Sequence, residues 1–307
     1  NSPDVPCRVP QCLSLAMGDA LEPLAHYDAC MSAIAVVVAV AIIVSAFCWV
    51  ASLVTKDTSW VDRLWSIAPV AYVWVFAGFA GFTDVRLVVM AVLVTLWGAR
   101  LTFNFARKGG YSGVEDYRWA VLRARMSPPV FQAFNLFFIV IYQNLLLVLI
   151  TLPAFTALEN PRAFGVPDAV VAILFLLFLW GETVADQQQW NFHRRKAAAV
   201  SRGEQPAQRF LTTGQFRFSR HPNFFFEQAQ WWMVAAFGVI AAGTIPWTII
   251  GAVLLTLLFI GSTIFTESIT RSKYPEYSDY RSRTSMIIPW FPRRETRAEV
   301  PADGKPT

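Results

Sequence analysis

Charge is scarce in this chain. Asp, Glu, Lys and Arg together supply 15% of its 307 residues. A soluble domain carries more, so an ordinary water-exposed globule is excluded. Cysteine is also scarce, with four residues, Cys7, Cys12, Cys30 and Cys48. Their spacing matches no metal site. Cys7 and Cys12 can pair as a disulfide if the N-terminus faces an oxidising side, and are otherwise two thiols. No internal repeat is visible. Residues 1–30 hold no basic stretch followed by an apolar run, so no secretory signal is expected there. The net charge of +5 requires no nucleic acid, because the basic residues cluster beside the apolar stretches.

Apolar residues make up 55% of the chain and aromatics 15%. The mean hydropathy is +0.42. This combination predicts an all-α, multi-pass transmembrane bundle. Seven apolar stretches approach the length needed to span about 30 Å of hydrocarbon. They are Ala33–Val54, Ile67–Phe82, Leu87–Phe105, Val130–Ala154, Ala169–Ala185, Phe224–Ala241 and Pro246–Phe265. With the N-terminus outside, segments 55–66, 106–129, 186–223 and 266–307 face the cytoplasm. Those segments carry 22 Lys and Arg, against 3 in the outside segments. That bias is what the positive-inside rule expects. The domain reading is a non-cytoplasmic segment 1–32, a membrane domain 33–291 and a disordered, Pro-rich cytoplasmic tail 292–307. The membrane is the endoplasmic reticulum in a eukaryote and the plasma membrane in a bacterium.

Polar residues within or beside these stretches are costly and mark candidate sites. Arg100, Asn104, Arg107 and Lys108 share one helix face. Arg100 lies almost two turns inside an apolar run. Its partner is either a phosphate or a carboxylate of another helix. Glu182, Asp186, Gln189 and His193 form a second stripe. They can accept bonds from ribose hydroxyls, or belong to a helix emerging from the membrane. Asp62 precedes an apolar stretch and reads first as a helix N-cap. Glu115-Asp116-Tyr117-Arg118 reads as a solvated turn. Tyr111 follows the turn pair Gly109-Gly110. The long basic loop 194–222 is a functional candidate by its size. The C-terminal tyrosines and arginines either anchor at the lipid interface or close over an adenine or a phosphate.

The densest cluster is Ser219-Arg220-His221-Pro222-Asn223-Phe224-Phe225-Phe226-Glu227. Pro222 suits a helix start, where its missing N–H costs nothing. Asn223 and Glu227 then share one face. The run is either a capped helix start with snorkelling charges or a binding site at the membrane edge.

This run resembles the Ser-Arg-His-Pro-Asn-Tyr-x-Gly-Glu element of steroid 5α-reductase-like membrane proteins. Asp62-x-x-Trp65, Glu115–Arg118, Glu182-x-x-x-Asp186, Phe210…Thr213-Gly214 and Tyr277…Tyr280…Thr284…Pro289 fall where that family has matching motifs. The likeness covers residues 35–290. Its wider superfamily includes sterol reductases, which use NADPH, and isoprenylcysteine carboxyl methyltransferases, which use S-adenosylmethionine. The resemblance implies a cytoplasmic-side cofactor site holding Glu182, Asp186, Arg220, His221, Asn223, Glu227 and Tyr280. It sets Arg100 and Lys108 near phosphate-contacting positions. Three departures stand out. Phe224 replaces a Tyr, Phe226 replaces a Gly, and the second span lacks the Gln-Glu pair that steroid 5α-reductases use around the substrate carbonyl.

The expected activity is therefore NADPH-dependent reduction of a carbon–carbon double bond in an apolar, lipid or steroid-like enone. Such chemistry needs a donor at the developing enolate oxygen. Asp62, if protonated, and Tyr111 are the candidates for it. The alternative is methyl transfer from S-adenosylmethionine to a lipidic substrate, since Arg220-His221-Pro222 followed by Glu267 and a Tyr-rich tail fits that branch too. A transporter predicts polar residues spread through the mid-bilayer, whereas here they gather on the cytoplasmic side.

Overall fold

Long runs without backbone breakers, and a bilayer that leaves no partner for a free N–H, both demand helix. The computed structural model describes residues 9–293 except Val114 and Ala207, with side chains from Leu24 onward. The Cys7–Cys12 pair and the tail beyond Arg293 lie outside the described side chains. Among the described residues the chain is all-helical, and the one extended pairing is Ser219 with Ser285.

Twelve α-helices follow in order. They are α1 (Val9–Thr55), α2 (Trp60–Leu64), α3 (Ala68–Phe79), α4 (Val85–Arg107), α5 (Tyr117–Arg125), α6 (Pro128–Phe134), α7 (Gln143–Leu149), α8 (Leu152–Glu159), α9 (Val166–Ser201), α10 (Pro222–Ala242), α11 (Ile250–Lys273) and α12 (Tyr277–Arg283). A π-helical stretch, Asn135–Tyr142, joins α6 to α7. Five segments are long and apolar enough to cross a membrane: Leu24–Thr55, Val85–Arg107, Pro128–Glu159, Val166–Ser201 and Trp247–Lys273. They fit an integral membrane protein.

The two remaining expected spans differ for physical reasons. The second is a helix of only 12 residues, or about 18 Å at 1.5 Å per residue. It stops where Gly81 and Phe82 turn left-handed, with φ of 62° and 60°. The sixth, α10, has 21 residues, but Glu227, Gln228 and Gln230 dilute its apolar character. The basic loop after α9 is also shorter than expected, because α9 continues through His193 to Ser201.

The chain divides into two compact units. One comprises the chain through Leu179 with Gln228–Leu257; the other comprises Trp180–Glu227 with the chain from Leu258 onward. In the first unit α3 and α4 pack closely at Gly98, where a Cβ would sit 2.6 Å from the Ser66 carbonyl oxygen. Trp97 meets Trp231 edge-on at 4.8 Å. Arg86, one of the three basic residues counted in the outside segments, is fully buried against Asp168, with Nε–Oδ1 at 2.6 Å and Nη2–Oδ2 at 3.0 Å. In the second unit α12 and the segment after it fasten onto the loop before α10, through contacts described next.

Candidate functional site

In the second unit, Ser219-Arg220-His221 runs alongside Ser285–Ile287. The Arg220 and His221 amides donate to the Ser285 and Met286 carbonyls at 2.9 and 3.1 Å. The Ser219 hydroxyl donates to the Ile287 carbonyl at 2.6 Å. Pro222 then opens α10, as its fixed φ favours.

This pairing places Arg220 beside Glu267 of α11. Arg220 Nε lies 2.6 Å from Glu267 Oε1 and Nη2 lies 3.1 Å from Oε2. Nη1 donates to the carbonyls of Arg281 and Thr284. Four of the five guanidinium N–H groups therefore meet protein acceptors. Glu267 also faces His221 Nε2 at 3.1 Å, the Tyr277 hydroxyl at 3.3 Å and Arg281 Nε at 3.2 Å. It is 3% exposed, so this one carboxylate balances several buried donors. Burial pushes the Tyr277 and Tyr280 hydroxyls well above the usual phenol range, which keeps both as proton donors. Tyr280 uses its hydroxyl on the Phe216 carbonyl. Phe210 stacks on Tyr280 at 5.8 Å and meets Tyr277 edge-on at 5.1 Å.

The carboxylates of the stripe on α9 are buried at Glu182 and Asp186 and give way to an exposed His193. On α10, Glu227 is buried and Asn223 half-buried. The two helices touch where a Cβ on Gly181 would meet the Phe226 ring at 2.6 Å. Glu182 and Glu227 are the next residues along from that contact. Phe226 therefore has its own accommodation: the ring that replaces the family's glycine rests on a glycine of the neighbouring helix. Phe224 is accommodated likewise, stacked on His221 at 5.4 Å and edge-on to Phe259 at 4.7 Å. The turn at Gly214–Arg217 is pinned to the same helix. Gln188 accepts from the Gln215 amide at 2.9 Å, and the Gln215 side chain donates to the Gly181 carbonyl at 3.1 Å.

Arg100, Lys108, Asp62 and Tyr111 belong to the first unit. Arg100 is half-buried on α4. Lys108 is the residue after that helix, its C-cap, so the stripe expected through it ends at Arg107. Asp62 is not a cap. It lies in the first turn of α2, whose N-cap position is Ser59, and its Oδ2 accepts from Trp119 Nε1 at 3.0 Å. Burial pushes its carboxyl above the usual carboxylate range, against the pull of Arg118 and Trp119. Tyr111 donates to the Arg63 carbonyl at 3.0 Å, and Arg63 donates to the Gly110 carbonyl at 3.0 Å and to Asp57 at 2.5 Å. Glu115 and Asp116 are more than a solvated turn. Glu115 accepts from the Thr58 amide and hydroxyl at 3.0 and 2.8 Å, and the Asp116 amide donates to the Ser59 hydroxyl at 3.0 Å. Asp62 and Tyr111 thus sit in one knot of two loops.

The residue whose role sequence reasoning missed is Glu267. Its signal was a carboxylate just after the apolar run of α11 ends at Phe265, opposite in sign to Arg271 and Lys273 in the same last turns.

One family model and one curated relative match this chain. The model of a protein family of unknown function, DUF1295, matches residues 48–284. A protein of the fission yeast Schizosaccharomyces pombe, described as uncharacterized, is 40% identical over 258 residues, covering 78% of this chain and 75% of its own. No solved structure matches. The matched stretch holds both the loop knot of Asp62 and the Glu267 cluster, and on that extent of agreement the chain belongs to the DUF1295 family.

Proposed function

We propose that this protein is a membrane-embedded, steroid 5α-reductase-like enzyme that reduces a carbon–carbon double bond in an apolar enone with NADPH. The observation that carries the reading is the set of buried carboxylates Glu182, Asp186 and Glu227 on the two helices that meet at Gly181 and Phe226, with the half-buried Asn223 one turn before Glu227. Carboxylates accept hydrogen bonds and a carboxamide both accepts and donates, so these residue types match ribose hydroxyls and a nicotinamide carboxamide. The residues present therefore fit the cofactor by their chemistry. When bound, NADPH supplies a hydride to the β-carbon and leaves as NADP⁺, while a proton reaches the α-carbon.

The chain's own residues divide the remaining work. Asn223, Glu182, Asp186 and Glu227 orient the ribose and nicotinamide ends. Arg220, expected among the cofactor residues, is assigned here to positioning: bound to Glu267, it fixes the start of α10 and so the direction of Asn223. His221 and Tyr280 act likewise through Glu267 and Phe216. Arg100 and Lys108 remain the phosphate candidates. Of the two, Asp62 is assigned as the donor to an enolate oxygen, because the Tyr111 proton is already used on the Arg63 carbonyl while burial raises the Asp62 carboxyl. In this reading α3 and α10 are also embedded, giving seven passes with the N-terminus outside.

Methyl transfer is the second reading, favoured by the Arg220–His221–Glu267 cluster alone. A thermal-shift measurement on the purified protein separates the two, because a ligand that binds only the folded state raises its melting point. Stabilisation by NADPH and not by S-adenosylmethionine is the expected result. The reverse pattern establishes the methyltransferase, and no response to saturating NADPH ends the reductase reading.

A further inference from the structure

After α12 the chain turns back over the second unit and forms a cleft of about 350 Å³. Its lining includes Arg281, Arg283 and Arg293, the hydroxyl residues Thr284 and Ser285, and the rings of Trp290 and Phe291. Arg220 also reaches its wall, with its donors directed to Glu267 and two carbonyls. Among the described residues no acidic side chain lines the cleft, and Arg281 Nε pairs with Glu267 at 3.2 Å. The walls are built rather than loose: Trp290 N donates to the Phe218 carbonyl and Arg293 N to the Arg283 carbonyl, each at 2.9 Å.

Like charges gathered around one concavity repel each other, and an anion of high charge density relieves that repulsion. The planar fork of a guanidinium matches phosphate oxygens two at a time. The lining also carries exposed rings: Trp290 and Phe291 are 71% and 79% exposed, and Ile288, two residues before Trp290, is 66% exposed. An aromatic and aliphatic lip over an arginine-lined cleft suits the boundary between headgroups and acyl chains, where Trp is enriched. The charge bias of the loops assigns this segment to the cytoplasmic leaflet, where anionic lipids attract basic residues.

We propose that this cleft binds a phosphate monoester, supplied by the headgroup of an anionic phospholipid whose acyl chains meet Ile288, Trp290 and Phe291. The site is independent of the cofactor reading, because none of Arg281, Arg283 and Arg293 is assigned to NADPH. A soluble phosphate is the other source of the same chemistry.

The test uses the full chain in phosphatidylcholine nanodiscs, with and without phosphatidic acid, and in parallel with inorganic phosphate. Thermal midpoints are read together with native mass spectrometry of retained lipid. Phosphatidic acid should raise the midpoint and remain bound. The double variant Arg283→Ala/Arg293→Ala should weaken retention by on the order of tenfold for each guanidinium removed. The double variant Arg202→Ala/Arg209→Ala, which removes exposed arginines elsewhere in the same unit, should retain the lipid. Stabilisation by inorganic phosphate alone, lost in the same Arg283/Arg293 variant, keeps the site and assigns it a soluble ligand. No response to either probe, or equal loss in both double variants, overturns the proposal. Unchanged NADPH stabilisation in the Arg283/Arg293 variant separates its outcome from that of the reductase reading.

Discussion

The two units handle buried charge differently. In the first, Arg86 and Asp168 form a one-to-one pair, with two carbonyls completing the guanidinium. The rest of the unit combines close helix approach, as at Gly98, with a loop knot in which each carboxylate has its own partners, Asp57 with Arg63, Glu115 with Thr58 and Asp62 with Trp119. In the second, Glu267 alone receives Arg220, His221, Tyr277 and Arg281. A one-to-one pair can be replaced by two apolar residues of similar volume without stranding a charge. A shared acceptor cannot, since its loss strands several donors together. Shared polar networks fix direction at the cost of tolerance, which suits a unit assigned to hold a cofactor.

The largest test of this difference is Glu267→Ala. It leaves a buried guanidinium and an imidazole without their acceptor, so it should cost about 3–5 kcal/mol. Unfolding in detergent, monitored alongside hydrogen exchange at residues 281–287, checks both the loss and its location. Replacing Arg220 by Met in the same chain should return only part of that loss, because His221 and Arg281 remain stranded. Full recovery would make Glu267 an ordinary pair partner like Asp168.

The next largest effect belongs to the first unit. Gly98→Ala places a methyl group against the Ser66 carbonyl and the Val70 side chain. Overpacking of this kind costs about 1–3 kcal/mol. The unfolding midpoint should fall, and NADPH stabilisation, read as the shift from that lower midpoint, should shrink, because Arg100, a phosphate candidate, lies two residues further along α4. An unchanged shift would remove Arg100 from the proposed site. Tyr280→Phe is smaller. It removes the proton given to the Phe216 carbonyl and should cost about 1 kcal/mol. Hydrogen exchange at the Gly214–Arg217 turn should rise with it.

Much of this architecture is legible in the sequence because one signal dominates there. A run such as Val85–Arg107 is apolar, unbroken and capped by Asp84, whose side chain accepts from Leu87 N at 3.0 Å. The apolar pattern left one boundary unread. Ile67–Phe82 reads as an unbroken stretch, yet its helix ends at Phe79 and the backbone turns at Gly81, and a glycine in an apolar run does not announce its φ. The candidate site was legible as a set of residue types and not as a set of partners. Arg220 and Glu267 are 47 residues apart, and no periodicity links them. Asp62 reads as a cap from its neighbours, whereas its partner Trp119 lies 57 residues away across a loop knot. Phe226 looked like a misfit to the family pattern until Gly181 supplied the missing space.

The smallest effect concerns that loop knot, where two carboxyls respond to pH in opposite senses. Glu115 is held below its ordinary value of 4.5 by Arg123 and the Thr58 amide and hydroxyl, which outweigh its partial burial. Its contribution is present above the unfolded value and is lost as pH falls through the lower folded one. Asp62 is pushed above its ordinary value of 3.8 by burial. Its contribution is present below that value and is lost as pH rises through the higher folded one. Glu115→Gln should therefore flatten the acid side of the stability profile, below pH 4.5. Asp62→Asn should flatten the side above pH 3.8, and so raise stability near neutrality relative to the parent. Unfolding midpoints measured across the acid range for both variants decide this. If Asp62→Asn instead lowers stability near neutrality, the carboxylate form is the one Trp119 stabilises, and Asp62 loses its place as the neutral donor to an enolate oxygen.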